Sequence, residues 1–308
     1  MNNYFEVLWS GGFDSTFMLC LLAKKYDCII QPYYLDINRH VRNYEISAIK
    51  KIYSLMLSVK DFSGIIKPVK FINENKIKVS KFIDDSFYNI RNIYPDLGFQ
   101  QRIISQFSLA HKNIYFGQRC YSNHGASYSL LFKLGHMQFD LNNVGYLDKS
   151  ICDDKVYRLY GNLRFPIIKY HENEILDIIN LWKLDNIFKS IHFCYYPIDG
   201  KPCGMCYACR VKIHQKNLSY FDELSLKRFH IHTGLLNSNS CLNCSSYASH
   251  LFSFNNVFLS DLFMCCYSNN YKIHYLKTNC GNQKDFSDFI ENQISFYKPY
   301  FDTLLFSN

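Results

Sequence analysis

The sequence predicts an α/β fold built on a doubly wound, mostly parallel sheet. Short apolar runs rich in β-branched and aromatic residues alternate with longer amphipathic segments, which is the pattern of strand–helix–strand units. A glycine turn at residues 10–14 joins the first predicted strand to the first predicted helix, and a cysteine cluster follows at residues 194–209. We therefore expect a ligand-binding loop at one edge of the sheet and a separate metal-binding motif.

The elements can be predicted in order along the chain. We predict a strand over residues 4–9, a helix over 15–25, a strand over 28–36, a helix over 44–57, an irregular segment over 60–98, a helix over 100–112, a strand over 113–117 and a helix after Pro166. Residues 118–160 give no clear pattern. Beyond about residue 215 the alternation fades. We therefore predict one domain over residues 1–215 and an appended C-terminal region over residues 216–308.

The composition limits the class of protein. The chain has 308 residues, of which 48% are hydrophobic, so it can build a packed core in one large domain or two smaller ones. No apolar run reaches the roughly 18 residues of a membrane helix, and the N-terminus lacks the basic region of a signal peptide. We expect a cytoplasmic protein without a membrane partner. Its 13 cysteines then favour metal ligands and buried thiols over disulfides.

The net charge of +8 is a mild basic excess. It suits an anionic ligand such as ATP. The basic residues are scattered along the chain, however, and a solvated lysine-rich surface is the favoured explanation. A nucleic acid is therefore not the expected partner.

The glycine turn lies in the segment VLWSGGFDST, residues 7–16. A strand, a glycine turn and a helix together aim backbone N–H groups at an anion, and Gly11 and Gly12 remove side chains where a phosphate approaches. Asp14 supplies a carboxylate of the kind that holds Mg²⁺. The alternative is a plain turn, because paired glycines often join a strand to a helix without any ligand.

The cysteine cluster consists of Cys194, Cys203, Cys206 and Cys209. Two overlapping C-x-x-C steps and a fourth cysteine upstream are spaced for one tetrahedral Zn²⁺, and four thiolates leave no open coordination position. The spacing thus predicts a structural zinc site, with an iron–sulfur cluster or unliganded thiols as alternatives. A second set matches no closed template, and we expect ordinary thiols there rather than a second metal site: Cys241, Cys244, Cys265, Cys266 and Cys280.

These motifs together resemble the PP-loop ATP pyrophosphatases, and among them the 7-cyano-7-deazaguanine synthase (QueC) family. Residues 10–16 match the S-G-G-x-D-S-T loop of that group, and residues 194–195 and 203–209 match the C-Y and C-G-x-C-x-x-C of the QueC family. Looser matches lie at residues 35–46 and 165–175. The resemblance covers about residues 4–213.

The chain also departs from that family. The acidic segment that follows the family's third strand is here GQRCYSNHGASYSLLFK, residues 117–133, in which Gly117 is kept and the acidic residues are not. The family's Thr-Lys pair is His171-Glu172 here. About a hundred residues follow the cysteine motif, where family members usually end. The resemblance therefore supports use of ATP better than it identifies the acceptor.

The resemblance implies a PP-loop fold of the adenine nucleotide alpha hydrolase type, with ATP, Mg²⁺ and Zn²⁺ as ligands. It implies ATP-binding residues at Ser10, Gly11, Gly12, Asp14, Ser15, Thr16, Tyr34, Leu35, Arg102 and Gly117. Among these, Asp14 would bind magnesium, and Tyr34 and Leu35 at the end of the second strand would flank adenine. It implies catalytic residues at Asp14, Ser15, Arg39 and His40. For Arg39, His40 and Arg102, an ordinary surface position is the alternative.

The implied reaction joins a carboxylate to an amine. In the family, 7-carboxy-7-deazaguanine attacks the α-phosphate of ATP, pyrophosphate leaves, and an amine displaces AMP from the acyl-adenylate. The amine is either ammonia, on the way to a nitrile, or a protein amine, as in QueC-like proteins of antiviral defence operons of the CBASS type. In the second version a protein acceptor would dock on residues 216–308. The resemblance also allows a homodimer.

Two other functions remain open. The first is a tRNA-modifying PP-loop enzyme such as a thiolase, which would need a catalytic cysteine at Cys120 or Cys152. The second is a non-catalytic module that binds zinc and a nucleotide. The intact loop with Asp14 favours an enzyme over that module.

Overall fold

The computed structural model describes residues 3–37, 39, 41–95, 97–119, 126–198, 200–214, 217–226 and 229. The chain divides into two compact units, residues 1–192 and 193–308. The predicted domain over residues 1–215 and the predicted appended region over residues 216–308 stay predictions, because nearly all of the latter lies outside the described residues. No helix in the described part is long and apolar enough to cross a membrane.

The first unit is built around a parallel sheet. Its strands are β1 (Asn3–Leu8), β2 (Cys28–Asp36), β3 (Ile65–Ile66), β4 (Lys70–Asn73), β5 (Ile114–Phe116) and β8 (Leu163–Arg164). A separate antiparallel pair consists of β6 (Gln138–Phe139) and β7 (Gly145–Tyr146). The order in the main sheet is β3-β2-β1-β5-β8, and β4 continues the edge beside the second half of β2. The predicted mixed α/β fold with a mostly parallel sheet is confirmed.

Helices connect the strands. Those of the first unit are α1 (Phe13–Lys25), α2 (Arg42–Leu57), α3 (Lys81–Ile93), α4 (Phe99–Ser108), α5 (Ala126–Tyr128), α6 (Asp154–Tyr160), α7 (Glu172–Leu181) and α8 (Asp185–Phe188), with a 3₁₀ turn at Glu74–Lys76 and a π-helix at Ser129–Leu134. The described part of the second unit contains α9 (Tyr207–His214) and a 3₁₀ turn at Leu218–Tyr220.

The strand order reverses beside β1. The chain runs outward from β1 to β2 and on to β3 and β4, and then returns to place β5 on the other side of β1. In open parallel sheets, ligands bind beyond the carboxyl ends of the strands at such a switch point. The loops at residues 9–12 and 117–119 follow β1 and β5, so both lie at this switch point.

Core packing explains the orientation of β2. Tyr33 and Leu35 are buried in a large apolar cluster with residues of α3, α4 and α6. Side chains alternate along a strand, so Tyr34 points to the opposite face, where its hydroxyl group reaches Glu45 of α2. The two faces of β2 are thus fixed by helices on both sides of the sheet.

The prediction of an irregular segment over residues 60–98 is wrong. The helix α3 lies within it, and Ile83, Phe87 and Ile90 bury one of its faces at helical spacing. The proline and glycine residues that suggested irregular structure flank this helix and do not interrupt it. Pro95, for example, follows its last turn.

Arg102 joins α4 to α3. Its guanidinium group donates two hydrogen bonds to Asp84, from Nε at 2.7 Å and from a terminal nitrogen at 2.8 Å. Gln106 donates a third to the same carboxylate, at 2.8 Å. The structure therefore places Arg102, a predicted ATP ligand, in an interhelical ion pair.

Asp84→Asn should lower the free energy of unfolding at pH 7 by about 1 kcal/mol, since the ion pair is partly exposed. Hydrogen bonding to Arg102 holds the pKa of Asp84 below its ordinary value of 3.8. This stabilisation is complete above the unfolded-state pKa and is lost as the pH falls through the lower folded-state value. Denaturant titrations should show that the difference in free energy of unfolding between variant and wild type becomes smaller below about pH 4. Asp85→Asn, elsewhere on α3, should show no such difference.

Candidate functional site

The turn after β1 requires glycine. Gly11 has a φ of +72°, in the left-handed region that disfavours residues with a side chain. A Cβ atom at this position would also lie 2.9 Å from Cγ1 of Ile49 on α2. The backbone N–H of His192 donates to the Gly11 carbonyl oxygen at 3.1 Å. The turn is therefore held between α2 and the last residue of the first unit.

Serine hydroxyls order the loop at the start of α1. The Oγ atoms of Ser10 and Ser15 lie 3.1 Å apart, and Ser15 Oγ also accepts the backbone N–H of Ser10 at 3.3 Å. Gly12 is the N-cap of α1, so no side chain caps this helix start. An uncapped helix N-terminus behind a glycine turn presents backbone N–H groups to an anion.

Thr16 faces the core instead of the loop. It is fully buried, and its hydroxyl oxygen accepts the indole N–H of Trp9 at 3.0 Å. This hydrogen bond ties the end of β1 to the first turn of α1. Thr16 thus stabilises the loop through a buried hydrogen bond on its core side.

Asp14 forms an ion pair with an arginine that the sequence motifs do not include. Nε of Arg119 donates to Oδ1 of Asp14 at 2.6 Å, and a terminal nitrogen of the same guanidinium donates to Glu172 at 3.2 Å. The side chain of Arg119 is only 2% exposed. Its guanidinium carbon lies 5.4 Å from the ring centre of Phe13. One buried cation therefore links the first turns of α1 and α7.

Gly117 brings the β5 loop against α1. A Cβ atom here would lie 2.8 Å from Cα of Ser15, 3.0 Å from its backbone nitrogen and 3.1 Å from the carbonyl carbon of Asp14. These neighbours are helix backbone and cannot move cheaply. The absence of a side chain at residue 117 therefore allows the approach that lets Arg119 reach Asp14.

A second polar network lies at the end of β2. The hydroxyl of Tyr34 donates to Glu45 at 2.6 Å, and Arg39 donates to the other oxygen of that carboxylate at 2.7 Å. Burial and the hydrogen bond to Glu45 raise the pKa of Tyr34, so its hydroxyl stays protonated. Arg42 pairs with Asp36, the last residue of β2, at 2.7 Å.

The structure thus brings together part of the predicted site. Ser10, Gly11, Gly12, Asp14 and Ser15 share the loop after β1, and Gly117 packs against the same helix turn. Tyr34 and Leu35 are almost fully buried, on opposite faces of β2. His40 lies outside the described residues.

Three charged residues of this region were missed. Glu45 and Glu172 lie within the looser motif matches, and Arg119 lies in the segment that departs from the family. Only their ion-pair partners in the folded chain identify them as residues of this region. One signal was available for Arg119, because it closely follows a predicted strand at the carboxyl edge of the sheet, where ligands bind.

The four predicted metal ligands form one buried group in the second unit. The Sγ atoms of Cys194, Cys203, Cys206 and Cys209 all lie within 4.8 Å of one another. Those of Cys203 and Cys209 are 3.8 Å apart, and those of Cys194 and Cys206 are 4.0 Å apart. Tetrahedral Zn²⁺ with Zn–S bonds of about 2.3 Å requires sulfur atoms roughly 3.8 Å apart. The group can therefore hold a metal ion such as zinc.

Backbone N–H groups prepare these sulfur atoms for negative charge. Cys203 Sγ accepts the N–H groups of Met205 at 3.3 Å and Cys206 at 3.2 Å, and Cys194 Sγ accepts that of Cys203 at 3.2 Å. The thiols of Cys203 and Cys209, and those of Cys194 and Cys206, also lie within hydrogen-bond distance of each other. A bound cation would take all four groups as thiolates.

Gly204 shapes the turn between the ligands. Its φ is +81°, and a Cβ atom there would collide with the backbone carbonyl oxygen of Ser225. The Ser225 hydroxyl donates to the carbonyl oxygen of Pro202 at 2.5 Å. The segment after α9 is thereby fixed against the ligand turn.

Other cysteines contribute little to the described sites. The predicted second group at residues 241–280 lies outside the described residues, as does Cys120. Burial, assisted by the nearby carboxylates of Asp153 and Asp154, raises the pKa of Cys152 to about 11. Cys152 is therefore a protonated, weak nucleophile at neutral pH.

No protein-family profile matches the chain, and no curated protein matches it in sequence. Any functional proposal therefore depends on the sequence motifs and on the geometry of these two sites.

Proposed function

We propose that the chain is an ATP-dependent, AMP-forming ligase of the PP-loop type, similar to the QueC family. It would activate a carboxylate such as 7-carboxy-7-deazaguanine and transfer the acyl group to an amine. The observation that supports this most is the position of the loop over residues 10–14, at the switch point of a parallel sheet and at an uncapped helix start.

The charges beside the loop suit a nucleotide with its metal. Asp14 and Glu172 share one guanidinium, so these three side chains together carry one excess negative charge. In our proposal Asp14 holds Mg²⁺ together with the phosphates. The ion would neutralise charge on the phosphates as pyrophosphate leaves.

The loop residues bind and orient the phosphates. Backbone N–H groups at the start of α1, with the hydroxyls of Ser10 and Ser15, would bind the pyrophosphate portion of ATP. A carboxylate oxygen of the substrate then attacks the α-phosphorus, and the bond to the departing pyrophosphate breaks. The amine nitrogen next attacks the acyl carbon, AMP leaves with the bonding electrons, and the amine proton passes to solvent. The contribution of the protein is position and charge.

In our proposal, adenine binds at the end of β2. Tyr34 and Leu35 are buried too deeply to offer ring faces or an apolar side chain to the base, so we propose that backbone groups at this strand end contact it. The network of Glu45, Arg39 and Tyr34 would keep that edge rigid. The four-cysteine group would hold Zn²⁺ in a structural role, because four thiolates leave no open position.

The decisive experiment is an assay by mass spectrometry with ATP, Mg²⁺ and 7-carboxy-7-deazaguanine. Ammonia, and proteins encoded beside this one, serve as acceptors. We expect AMP and pyrophosphate from the wild type and at least about a hundredfold less from Asp14→Ala. Asp177→Ala, at a position of α7 outside the site, is the matched control and should behave like the wild type. Absence of AMP with every acceptor would rule out the proposal.

The acceptor decides between the two versions of the reaction. An amide or nitrile of the deazaguanine would indicate ammonia as the amine. A mass increase on a protein, with release of AMP, would indicate conjugation to a protein amine. The tRNA thiolase alternative receives no support from Cys152, whose pKa is too high for a nucleophile at neutral pH.

A further inference from the structure

We propose that Arg119 is the positioning residue of the candidate loop: it fixes the carboxylate of Asp14 for the metal–nucleotide complex, and Glu172 in turn orients the guanidinium. This inference rests on the proposed function. It concerns a residue outside the glycine motif, in the segment where the sequence departs from the QueC family.

The geometry supports a role in orientation. The hydrogen bond from Nε of Arg119 to Asp14 is short, at 2.6 Å, and the bond to Glu172 is longer, at 3.2 Å. The guanidinium is planar and donates in fixed directions, so two partners at separate nitrogens determine its orientation. Because the side chain is buried and lies near the Phe13 ring, it has little freedom to turn away.

The charges of Asp14, Arg119 and Glu172 distinguish two roles for Arg119: orienting the Asp14 carboxylate and attracting a phosphate. A lone buried arginine would attract phosphate by charge alone. Here the guanidinium already forms ion pairs with two carboxylates, which weakens its attraction for a further anion. Its main effect is on the position of Asp14, and hence on the direction in which that carboxylate meets the metal.

A purely structural link between α1 and α7 is the competing explanation. A structural link would affect thermal stability and leave turnover per folded molecule unchanged. A positioning residue would lower kcat and weaken the response to Mg²⁺ in a protein that is still folded. A misplacement of a reacting group by about 1 Å can lower a rate by about a hundredfold.

The test uses the double variant Arg119→Met/Glu172→Gln in the full-length chain. Methionine is an unbranched side chain that leaves no buried charge, and removal of the Glu172 charge keeps the excess of one negative charge. The summed charge of these three side chains thus stays equal to that of the wild type, while Asp14 loses the hydrogen bond from Arg119. Glu172→Gln alone retains that hydrogen bond and is the control.

Pyrophosphate release is measured against ATP and Mg²⁺ concentrations, alongside thermal melting. We expect the double variant to melt near the wild type, to lose about a hundredfold in kcat, to need more Mg²⁺, and to keep KM for ATP within about threefold. Glu172→Gln should lose less than about tenfold in kcat. Should the double variant not fold, Arg119→Lys, which keeps the charge and loses the planar fork, gives the same comparison.

The outcomes are distinguishable. A folded variant with wild-type kcat and Mg²⁺ response, beside an active wild type, overturns the positioning role and leaves the proposed function standing. A wild type that neither binds MgATP nor releases pyrophosphate overturns the proposed function, and this inference with it.

Discussion

Cys206→Ser should release the metal ion from the second unit and unfold the segment around it. Cys206 is fully buried, and its sulfur lies 4.0 Å from that of Cys194. Binding of Zn²⁺ to four thiolates contributes about 10–16 kcal/mol of apparent free energy at pH 7, far more than a single buried side chain does. The loss of one ligand should therefore weaken both metal affinity and folding.

Metal content per chain, measured by elemental analysis, checks this prediction. We expect one Zn²⁺ at this site in the wild type and much less in the variant, with greater protease sensitivity between residues 193 and 226. Cobalt-loaded wild type should show intense thiolate-to-metal absorption that the variant lacks. Cys152→Ser removes a thiol outside the group and should retain the full metal content. Equal metal in Cys206→Ser and the wild type would contradict a four-cysteine site.

The sequence predicts the two local motifs well because each depends on neighbouring residues. The turn places Gly11 at a positive φ, which favours glycine, and follows directly on a strand. The glycine and the apolar run of the strand both stand within ten residues of the sequence. The cysteine spacing likewise brings four thiols together through one tight turn at Gly204. Strand and helix order over residues 4–57 follows from periodicity, and the reversal at β1 accords with the usual position of a ligand loop.

What the sequence could not predict are pairings between distant residues. Arg119 and Asp14 are 105 positions apart, and Arg119 and Glu172 are 53 apart. Arg102 was predicted to bind ATP, but it pairs instead with Asp84 on a helix that periodicity had not identified. Side-chain charge alone does not tell which arginine reaches a loop and which joins two helices. That choice depends on tertiary packing.

The alternation of β2 shows a related difficulty. Tyr34 and Leu35 stand at the end of a strand where a base would bind, yet both are buried by helices on opposite faces. Position at a strand end identifies the region of a ligand site. It does not identify which atoms there are accessible, because packing against the helices decides that.

Gly117→Ala should disrupt the contact between the β5 loop and the start of α1. The backbone angle at residue 117 is not in the left-handed region, so the cost is steric. The new methyl group would lie 2.8 Å from Cα of Ser15 and 3.1 Å from the carbonyl carbon of Asp14. Overpacking of this kind costs about 1–3 kcal/mol. Relief requires the loop to move away from the helix, which separates Arg119 from Asp14.

Gly98→Ala is the matched control for this prediction. A Cβ atom there meets nothing within 4 Å, and the residue is the N-cap of α4, so alanine costs less than about 1 kcal/mol. Denaturant unfolding gives the two stabilities, and pyrophosphate release per folded molecule gives the effect on the site. Of the two glycine variants, we expect only Gly117→Ala to lose turnover and Mg²⁺ response together, as we also expect of Arg119→Met/Glu172→Gln. Equal stability and equal turnover in the two glycine variants would mean that the β5 loop does not hold Asp14 in place.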